Sequence, residues 1–146
     1  MTPLSRGHLR RFVLDANAVI SILEDRPGAA PRVRRIIEEA SRNQVPVFLS
    51  AVNWGEVFYI VWKLHGEVNA LEAEAKLRQL PIMVIAADRD RASRAATIKQ
   101  KHNMGYADAF AAELAIERRA SLVTTDPDFS KVGKVLSIYP LPRHEK

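Results

Sequence analysis

Five short apolar runs alternate with longer segments of helical periodicity, and this alternation constrains the fold more than any other feature of the chain. The runs are rich in β-branched and other apolar residues and are predicted as strands at residues 11–14, 45–49, 82–85, 122–125 and 135–138. Strands that alternate with helices form parallel sheets with helices packed against them. The sequence therefore predicts an α/β fold with a central parallel sheet.

Helix boundaries follow from capping residues, glycines and prolines. Ser50 and Asp88 are predicted N-caps, because each precedes a helical segment and carries a side-chain oxygen that accepts a backbone hydrogen bond. Asn69 and Glu72 have the spacing of a capping box, which predicts a helix from that point to just before Pro81. The predicted helices span residues 18–23, 31–41, 51–64, 69–80, 89–101 and 106–118.

The size and composition of the chain exclude several protein classes. It has 146 residues and no cysteine, which excludes disulfides, thiolate zinc sites and cysteine nucleophiles. No repeat or linker interrupts it, so we expect residues 1–146 to form a single domain with a core at about residues 11–139. The longest apolar run, residues 57–62, is too short to span a bilayer, and nothing near Met1 resembles a signal peptide. We therefore expect a cytoplasmic protein without membrane contact.

Four carboxylates stand at special points of the alternating pattern. Asp15 and Asp126 each follow a predicted strand, and Asp108 lies in the first turn of a predicted helix. Glu56 lies about two turns into the helix after the second strand. The carboxyl ends of parallel strands share one edge of the sheet, where α/β proteins bind their ligands. We expect the four side chains to meet at that edge.

The surroundings of these carboxylates predict a bound cation. Glu56 lies in a helix with almost no other polar face, and Asp15 ends an apolar strand. A buried charge costs several kcal/mol unless it is paired, protonated or bound to a cation. Gathered carboxylates repel one another unless a divalent cation compensates, and oxygen ligands select Mg²⁺ or Mn²⁺. Such a site predicts metal-assisted cleavage of a phosphodiester bond.

The net charge favours a polyanionic substrate. Lys and Arg number 22 against 17 Asp and Glu, a formal charge of +5. Without the four candidate carboxylates, the rest of the chain has 22 basic and 13 acidic residues, or +9. A basic body around an acidic pocket suits RNA held by its phosphate backbone. Arg91, Arg94 and Lys101 share one stripe of their predicted helix and are the candidate RNA contacts.

Each carboxylate also has an ordinary structural interpretation. Asp15 and Asp126 suit helix caps, Asp108 complements the positive end of a helix, and Glu56 suits a buried ion pair. It is their occurrence together at one edge of the sheet that favours the functional interpretation.

Further polar residues lie near the same edge. They are candidates for supporting groups that orient carboxylates or water, although caps and strand-end hydrogen bonds account for them equally well. These residues are Asn17, Ser50, Thr124 and Asp128.

Aromatic residues recur at every fourth position of one predicted helix. Trp54, Phe58 and Trp62 form a stripe there, with Tyr59 beside it. Such a stripe usually belongs to the core, and any exposed part marks a surface for a second subunit or another partner. We expect the exposed part to bind a partner.

Taken together, the four acidic segments resemble a known family. Phe-Val-Leu-Asp-Ala-Asn at residues 12–17, Ser50 with Glu56, Tyr-Ala-Asp-Ala-Phe-Ala-Ala at 106–112 and Leu-Val-Thr-Thr-Asp-Pro-Asp-Phe at 122–129 are similar to the motifs of PIN-domain ribonucleases. The VapC toxins of toxin–antitoxin pairs are the most similar group. The resemblance covers about residues 11–139.

The resemblance implies a PIN-like three-layer α/β/α sandwich, Mg²⁺- or Mn²⁺-dependent RNA cleavage, a homodimer and inhibition by a small VapB-like antitoxin. By motif match it gives the metal-binding and catalytic role to Asp15, Glu56, Asp108 and Asp126, with Asn17 and Thr124 in support. Two alternatives stay open at this point. One is a housekeeping PIN-domain nuclease in RNA processing, and the other is a non-catalytic nucleic-acid-binding module whose carboxylates are caps and ion pairs.

Overall fold

A computed structural model describes residues 9–143, and over that range the chain forms five strands, six α-helices and one 3₁₀-helix. In chain order these are β1 (Phe12–Leu14), α1 (Ala16–Leu23), α2 (Ala29–Arg42), β2 (Val47–Ser50), α3 (Ala51–His65), α4 (Glu67–Gln79), β3 (Ile82–Ile85), α5 (Arg89–His102), α6 (Tyr106–Arg118), β4 (Ser121–Thr124), the 3₁₀-helix (Pro127–Val132) and β5 (Ser137–Pro140). Residues 1–8 and 144–146 of the predicted domain lie outside the described residues, so the single domain over 1–146 stays a prediction.

The five strands form one parallel sheet in the order β3-β2-β1-β4-β5. The predicted parallel sheet is therefore confirmed. The chain starts at the centre, builds outward to β3, and then crosses to the other side of β1. This reversal of direction lies between β1 and β4, where Leu14 is in register with Val123. In α/β folds a crevice for ligands opens at such a point, beyond the carboxyl ends of the two strands.

Helices cover both faces of the sheet, because side chains alternate in direction along each strand. Phe12 and Leu14 of β1 pack with α1, α2, α3 and α4 in one apolar cluster. Val13, between them in sequence, packs with α6 in a second cluster. Helix α5 packs on α6 through Ala95, Ala109 and Phe110. The implied α/β/α sandwich is confirmed.

The capping predictions had mixed outcomes. Ser50 caps α3 by accepting a hydrogen bond from Val52 N, and Asp88 caps α5 in the same way. The capping box at Asn69 is wrong. Helix α4 begins earlier, at Glu67, because Gly66 has φ of 90° and turns the chain directly from α3 into α4. The Asn69 amide instead donates to the carbonyl of His65 at 2.7 Å.

Several other boundaries differ from the sequence expectation by one or two residues, among them those of the last strand, of α1, of β2 (Val47–Ser50, predicted at 45–49) and of α2 (Ala29–Arg42, predicted at 31–41). The last strand is Ser137–Pro140, two residues later than predicted, because its partners in β4 are fixed by the pairing of Ser121 with Ser137. Helix α1 begins at Ala16, directly after its cap Asp15, rather than at residue 18. A search of the described helices finds none with the length and apolar character needed to cross a membrane.

Candidate active site

Asp15 and Asp126 lie beyond the carboxyl ends of β1 and β4, the two neighbouring strands between which the strand order reverses. Asp15 follows β1, and its backbone N–H donates to Val123 O of β4 at 3.3 Å. Asp126 follows β4 by two residues and caps the 3₁₀-helix. The sheet topology thus brings together two residues separated by most of the chain, as the sequence pattern predicts.

Asp15 is a buried carboxylate held by two hydrogen bonds. Its Oδ1 accepts from the backbone N–H of Ala18 at 2.8 Å, which caps α1, and its Oδ2 accepts from the Thr124 hydroxyl. Only 3% of its surface is exposed, and this desolvation raises its pKa from 3.8 to about 7. The two hydrogen bonds act in the opposite direction, while repulsion from Asp108 and Glu56 raises the pKa further. Asp15 is therefore a helix cap, as its structural interpretation predicts. The hydrogen bonds offset only part of the cost of burying its negative charge, because its pKa stays raised.

Glu56 projects from α3 toward the same region and is oriented by Asn53. The Asn53 Nδ2 donates to Glu56 Oε1 at 3.1 Å and to the carbonyl of Ala107, at the start of α6, at 3.1 Å. Burial raises the pKa of Glu56, the Asn53 hydrogen bond lowers it, and repulsion from Asp108 raises it. Among the described residues Glu56 has no cationic partner within ion-pair distance, so it is not half of a buried ion pair.

Asp108 connects the other carboxylates. It lies in the first turn of α6, as predicted, and is half-buried. Desolvation raises its pKa, and repulsion from Asp126 and Asp128 adds to that shift. Asp108 therefore lies close enough to repel Asp15 and Glu56 on one side and Asp126 and Asp128 on the other.

The side-chain oxygens of the four acidic residues are suitable ligands for a hard divalent cation. Every donor is a carboxylate oxygen, and none of the four acids forms an ion pair with a cationic side chain of the described residues. The Asn53 Oδ1 is also buried and has no hydrogen-bond partner among the described residues. Within residues 9–143, no three carboxylate or imidazole groups already surround a common point. A cation would have to draw these carboxylates together.

The predicted supporting residues differ in their contacts. The Thr124 hydroxyl donates to Asp15 and accepts from the backbone N–H of Asp126 at 2.9 Å, which ties the two carboxylates to one side chain. Ser50 is buried and caps α3. Asn17 is exposed on α1, and Asp128 is exposed with its backbone N–H bound to Asp126 Oδ1 at 2.9 Å. Thr124 is therefore the supporting residue with the most direct contact to the site.

Two of the three residues predicted to contact RNA form ion pairs within the protein. Arg91 and Arg94 of α5 both pair with Glu113 of α6, at 3.3 and 2.8 Å, and Arg91 also pairs with Glu117 at 3.0 Å. These pairs join α5 to α6. Lys101, farther along α5, is exposed.

The sequence predictions did not include two polar residues, Asn53 and Glu113, although the position of each on its helix indicates a role. Asn53 precedes Glu56 by three residues, so both lie on one face of α3. Its double hydrogen bond also fixes the orientation of the amide, because only the NH₂ group can donate to both acceptors. Glu113 lies within the apolar face of α6, where an acidic residue needs a partner, and the arginine stripe on α5 supplies it.

A comparison with protein-family models matches the PIN domain over residues 12–135. A comparison with curated proteins finds no match. Several solved structures share the fold. VapBC2 from Rickettsia felis, bound to a DNA fragment, superposes with a TM-score of 0.70 at 14% identity, covering 90% of this chain and 98% of that one.

Two further structures agree with that result. DNA-bound VapBC from Salmonella typhimurium gives a TM-score of 0.69 at 20% identity over 90% of this chain and 98% of that chain. VapC20 from Mycobacterium tuberculosis, described as a Sarcin-Ricin loop cleaving toxin, gives 0.64 at 16% identity over 84% and 95%. At such identities the similarity establishes the fold, which the described strands and helices share over nearly the full length of those chains.

Proposed function

This chain belongs to the PIN-domain family, and from that premise we propose that it is a metal-dependent endoribonuclease that acts as the toxin of a VapBC-type toxin–antitoxin module. The observation that carries the proposal is the group of carboxylates Asp15, Glu56, Asp108 and Asp126 at the sheet edge, in which Asp108 repels the other three. None of the four forms an ion pair with a cationic side chain of residues 9–143. The substrate is RNA, and the cofactor is Mg²⁺ or Mn²⁺.

Each carboxylate has a proposed role. Asp15 and Asp108 hold the principal cation, and Glu56 and Asp126 complete the site or orient the attacking water. A bound Mg²⁺ or Mn²⁺ supplies charge stabilisation for cleavage of a phosphodiester and lowers the pKa of water. Thr124 keeps Asp15 and Asp126 at a fixed separation, and Asn53 holds the Glu56 carboxylate against the start of α6.

The raised pKa values of Asp15, Glu56 and Asp108 support this assignment. Each value shows that a negative charge is unfavourable in the protein alone, with desolvation as the largest cause. A cation reverses that balance by favouring the ionised forms. The site therefore gains most from a cation when all its carboxylates are charged.

The test is cleavage of a panel of RNAs by the purified protein with Mn²⁺, with Mg²⁺ and with EDTA. We expect cleavage with either cation and none with EDTA. Asp108→Asn is the inactive comparison, and Asp90→Asn, an exposed acidic residue of α5, is the matched control that keeps activity. Equal cleavage by the wild type and Asp108→Asn would identify a contaminating nuclease and refute the proposal.

An exposed surface on α3 and α4 supports the proposed partners, a small VapB-like antitoxin and a second copy of the chain. Tyr59 is 59% exposed and Trp62 is 44% exposed, so the aromatic stripe is only partly in the core. Val68 and Leu71 of α4 extend the apolar surface. Large exposed aromatic residues are the side chains that most often dominate binding energy at interfaces.

We expect expression of the chain to arrest growth and a cognate small protein to relieve the arrest. Trp62→Ala should weaken either this inhibition or the dimer about tenfold or more, because it removes the largest exposed side chain of the surface. Binding assays and light scattering measure the two effects, with Val135→Ala, an exposed apolar residue elsewhere, as control. Unchanged dimer mass together with unchanged inhibition would exclude this surface.

A further inference from the structure

A second charged feature lies at the opposite edge of the sheet from the carboxylates. There a cleft of about 1110 Å³ is lined by fourteen residues, including Arg10, Arg11 and Arg119, and none of the fourteen is acidic. Arg11 precedes β1 and Asp15 follows it, so the cleft and the carboxylate site are separated by the length of that strand, about 13 Å. The proposed function does not use this cleft.

Arg10 is held in place without a charged partner among the residues that the structure describes. Its guanidinium lies 5.2 Å from the ring centre of Phe12 and 5.5 Å from that of Tyr139, and its Nη2 donates to the Ser121 hydroxyl at 3.4 Å. A guanidinium stacked on rings is fixed in orientation and keeps donors free for an anion. Glu39 shares a smaller neighbouring pocket with Arg10 but forms no ion pair with it.

The other two arginines are similarly unneutralised. Arg11 donates from Nη1 to the carbonyl of Arg118 at 3.3 Å, and neither Arg11 nor Arg119 forms an ion pair within residues 9–143.

The ends of nearby helices explain only part of the positive charge of this cleft. A cation near a helix C-terminus stabilises the helix, which accounts for Arg119, the C-cap residue of α6, and for Arg11, which donates to the carbonyl of the last residue of that helix. Arg10 lies on the segment that leads into β1, and its contacts with Phe12, Tyr139 and Ser121 involve no helix end. Three arginines around an open cleft, without an acidic residue, fit a ligand with several phosphates.

We propose that this cleft binds the phosphate backbone of single-stranded RNA, as a second contact for the substrate of the carboxylate site. This inference rests on the proposed ribonuclease function. RNA held at the basic edge supplies affinity that the acidic site lacks, since carboxylates repel phosphates. Backbone contacts of this kind position the strand without reading its sequence.

The test measures RNA binding by an inactive parent, Asp108→Asn, so that the probe survives. In this parent the triple variant Arg10→Gln, Arg11→Gln, Arg119→Asn removes three charges and keeps a polar side chain at each position. Asparagine is chosen at position 119 because φ there is 52°, a conformation that asparagine adopts readily. The matched control removes three exposed charges elsewhere, with Arg32→Gln, Arg35→Gln and Lys76→Gln.

Fluorescence anisotropy with a 20-nucleotide RNA, at several salt concentrations, gives the affinity and the number of ions released. We expect the cleft variant to bind at least about tenfold more weakly than the parent. The slope of log K against log salt should become shallower by about 2, since each phosphate contact on single strands contributes about 0.7. The control variant should bind as the parent does, and thermal unfolding checks that all variants fold.

Several results would overturn the inference. Equal binding and slope in the parent and the cleft variant would refute it and leave the proposed function standing, as would an equal loss in the control variant. If the cleft variant lost affinity only for DNA of the same sequence, the cleft would bind another ligand. If it changed only the mass of the oligomer, the cleft would be a protein interface. Absence of RNA binding by the parent would refute the inference and the proposed function together.

Discussion

Replacing Asp15 with asparagine is expected to stabilise the cation-free protein above pH 7 by about 2–4 kcal/mol while reducing cation-dependent RNA cleavage at least about 100-fold. Both effects have one cause, the buried charge. Asparagine retains the cap, because its Oδ1 accepts from Ala18 N as Asp15 does. It removes the desolvated carboxylate, which is the group proposed to hold the cation.

The pH dependence of this effect has a definite sign. The pKa of Asp15 is raised to about 7 in the folded protein and is 3.8 ordinarily. The folded state therefore binds the proton more tightly than the unfolded chain, and wild-type stability falls as pH rises from about 4 to about 7. Asparagine does not titrate, so the gap in stability between the variant and the wild type opens over this range and is constant above it.

Urea unfolding between pH 4 and pH 8, with EDTA or with Mg²⁺, measures these differences. We expect Mg²⁺ to stabilise the wild type above pH 7 and to leave Asp15→Asn unchanged. Asp90→Asn is again the control, since its carboxylate is exposed. A less stable Asp15→Asn protein at pH 8 in EDTA would contradict the argument from desolvation.

Replacing Glu113 with alanine is expected to destabilise the protein by about 2–4 kcal/mol, because it leaves the nearly buried guanidinium of Arg91 without one of its two acidic partners. The side chain of Glu113 is 2% exposed and that of Arg91 is 11% exposed. Arg94 is half exposed, so its share of the loss is reduced by solvent. Glu117 still pairs with Arg91, which keeps the loss below that of a fully isolated ion.

Thermal or urea unfolding measures the loss, and two further variants test its cause. Glu113→Gln keeps the shape and one hydrogen bond and should cost about half as much. The double variant Glu113→Leu, Arg91→Met removes both charges and should recover part of the loss, since an apolar pair of similar volume has no desolvated ion. A loss below about 1 kcal/mol for Glu113→Ala would show that the α5–α6 contact does not depend on this pair.

Much of the fold was predictable from sequence, because strand and helix periods are local signals. The centre of the sheet was clear from apolar runs such as that before Asp15, and the parallel pairing followed from the alternation of elements. Capping was less predictable. Asn69 has the right spacing for a capping box, yet Gly66 and the packing of α3 on α4 decide where the helix begins.

The acidic residues of the site could be identified from the sequence, but most of the contacts that hold them could not. Positions after strands identify Asp15 and Asp126 without any knowledge of their neighbours. The double hydrogen bond of Asn53 depends on the distance between α3 and α6, which no local pattern encodes. For the same reason, the pairing of Arg91 and Arg94 with Glu113 could not be predicted, because it exists only once α5 and α6 pack.

The reversal of direction between β1 and β4 has a consequence for a cell that makes this chain. Asp15 is synthesised before the rest of the site, and Thr124 and Asp126 follow more than a hundred residues later. Strand β4 must pair with β1 before the Thr124 hydroxyl can reach Asp15. If the carboxylate site cleaves RNA as proposed, a nascent chain has no activity until Asp126 has been synthesised and β4 has paired with β1.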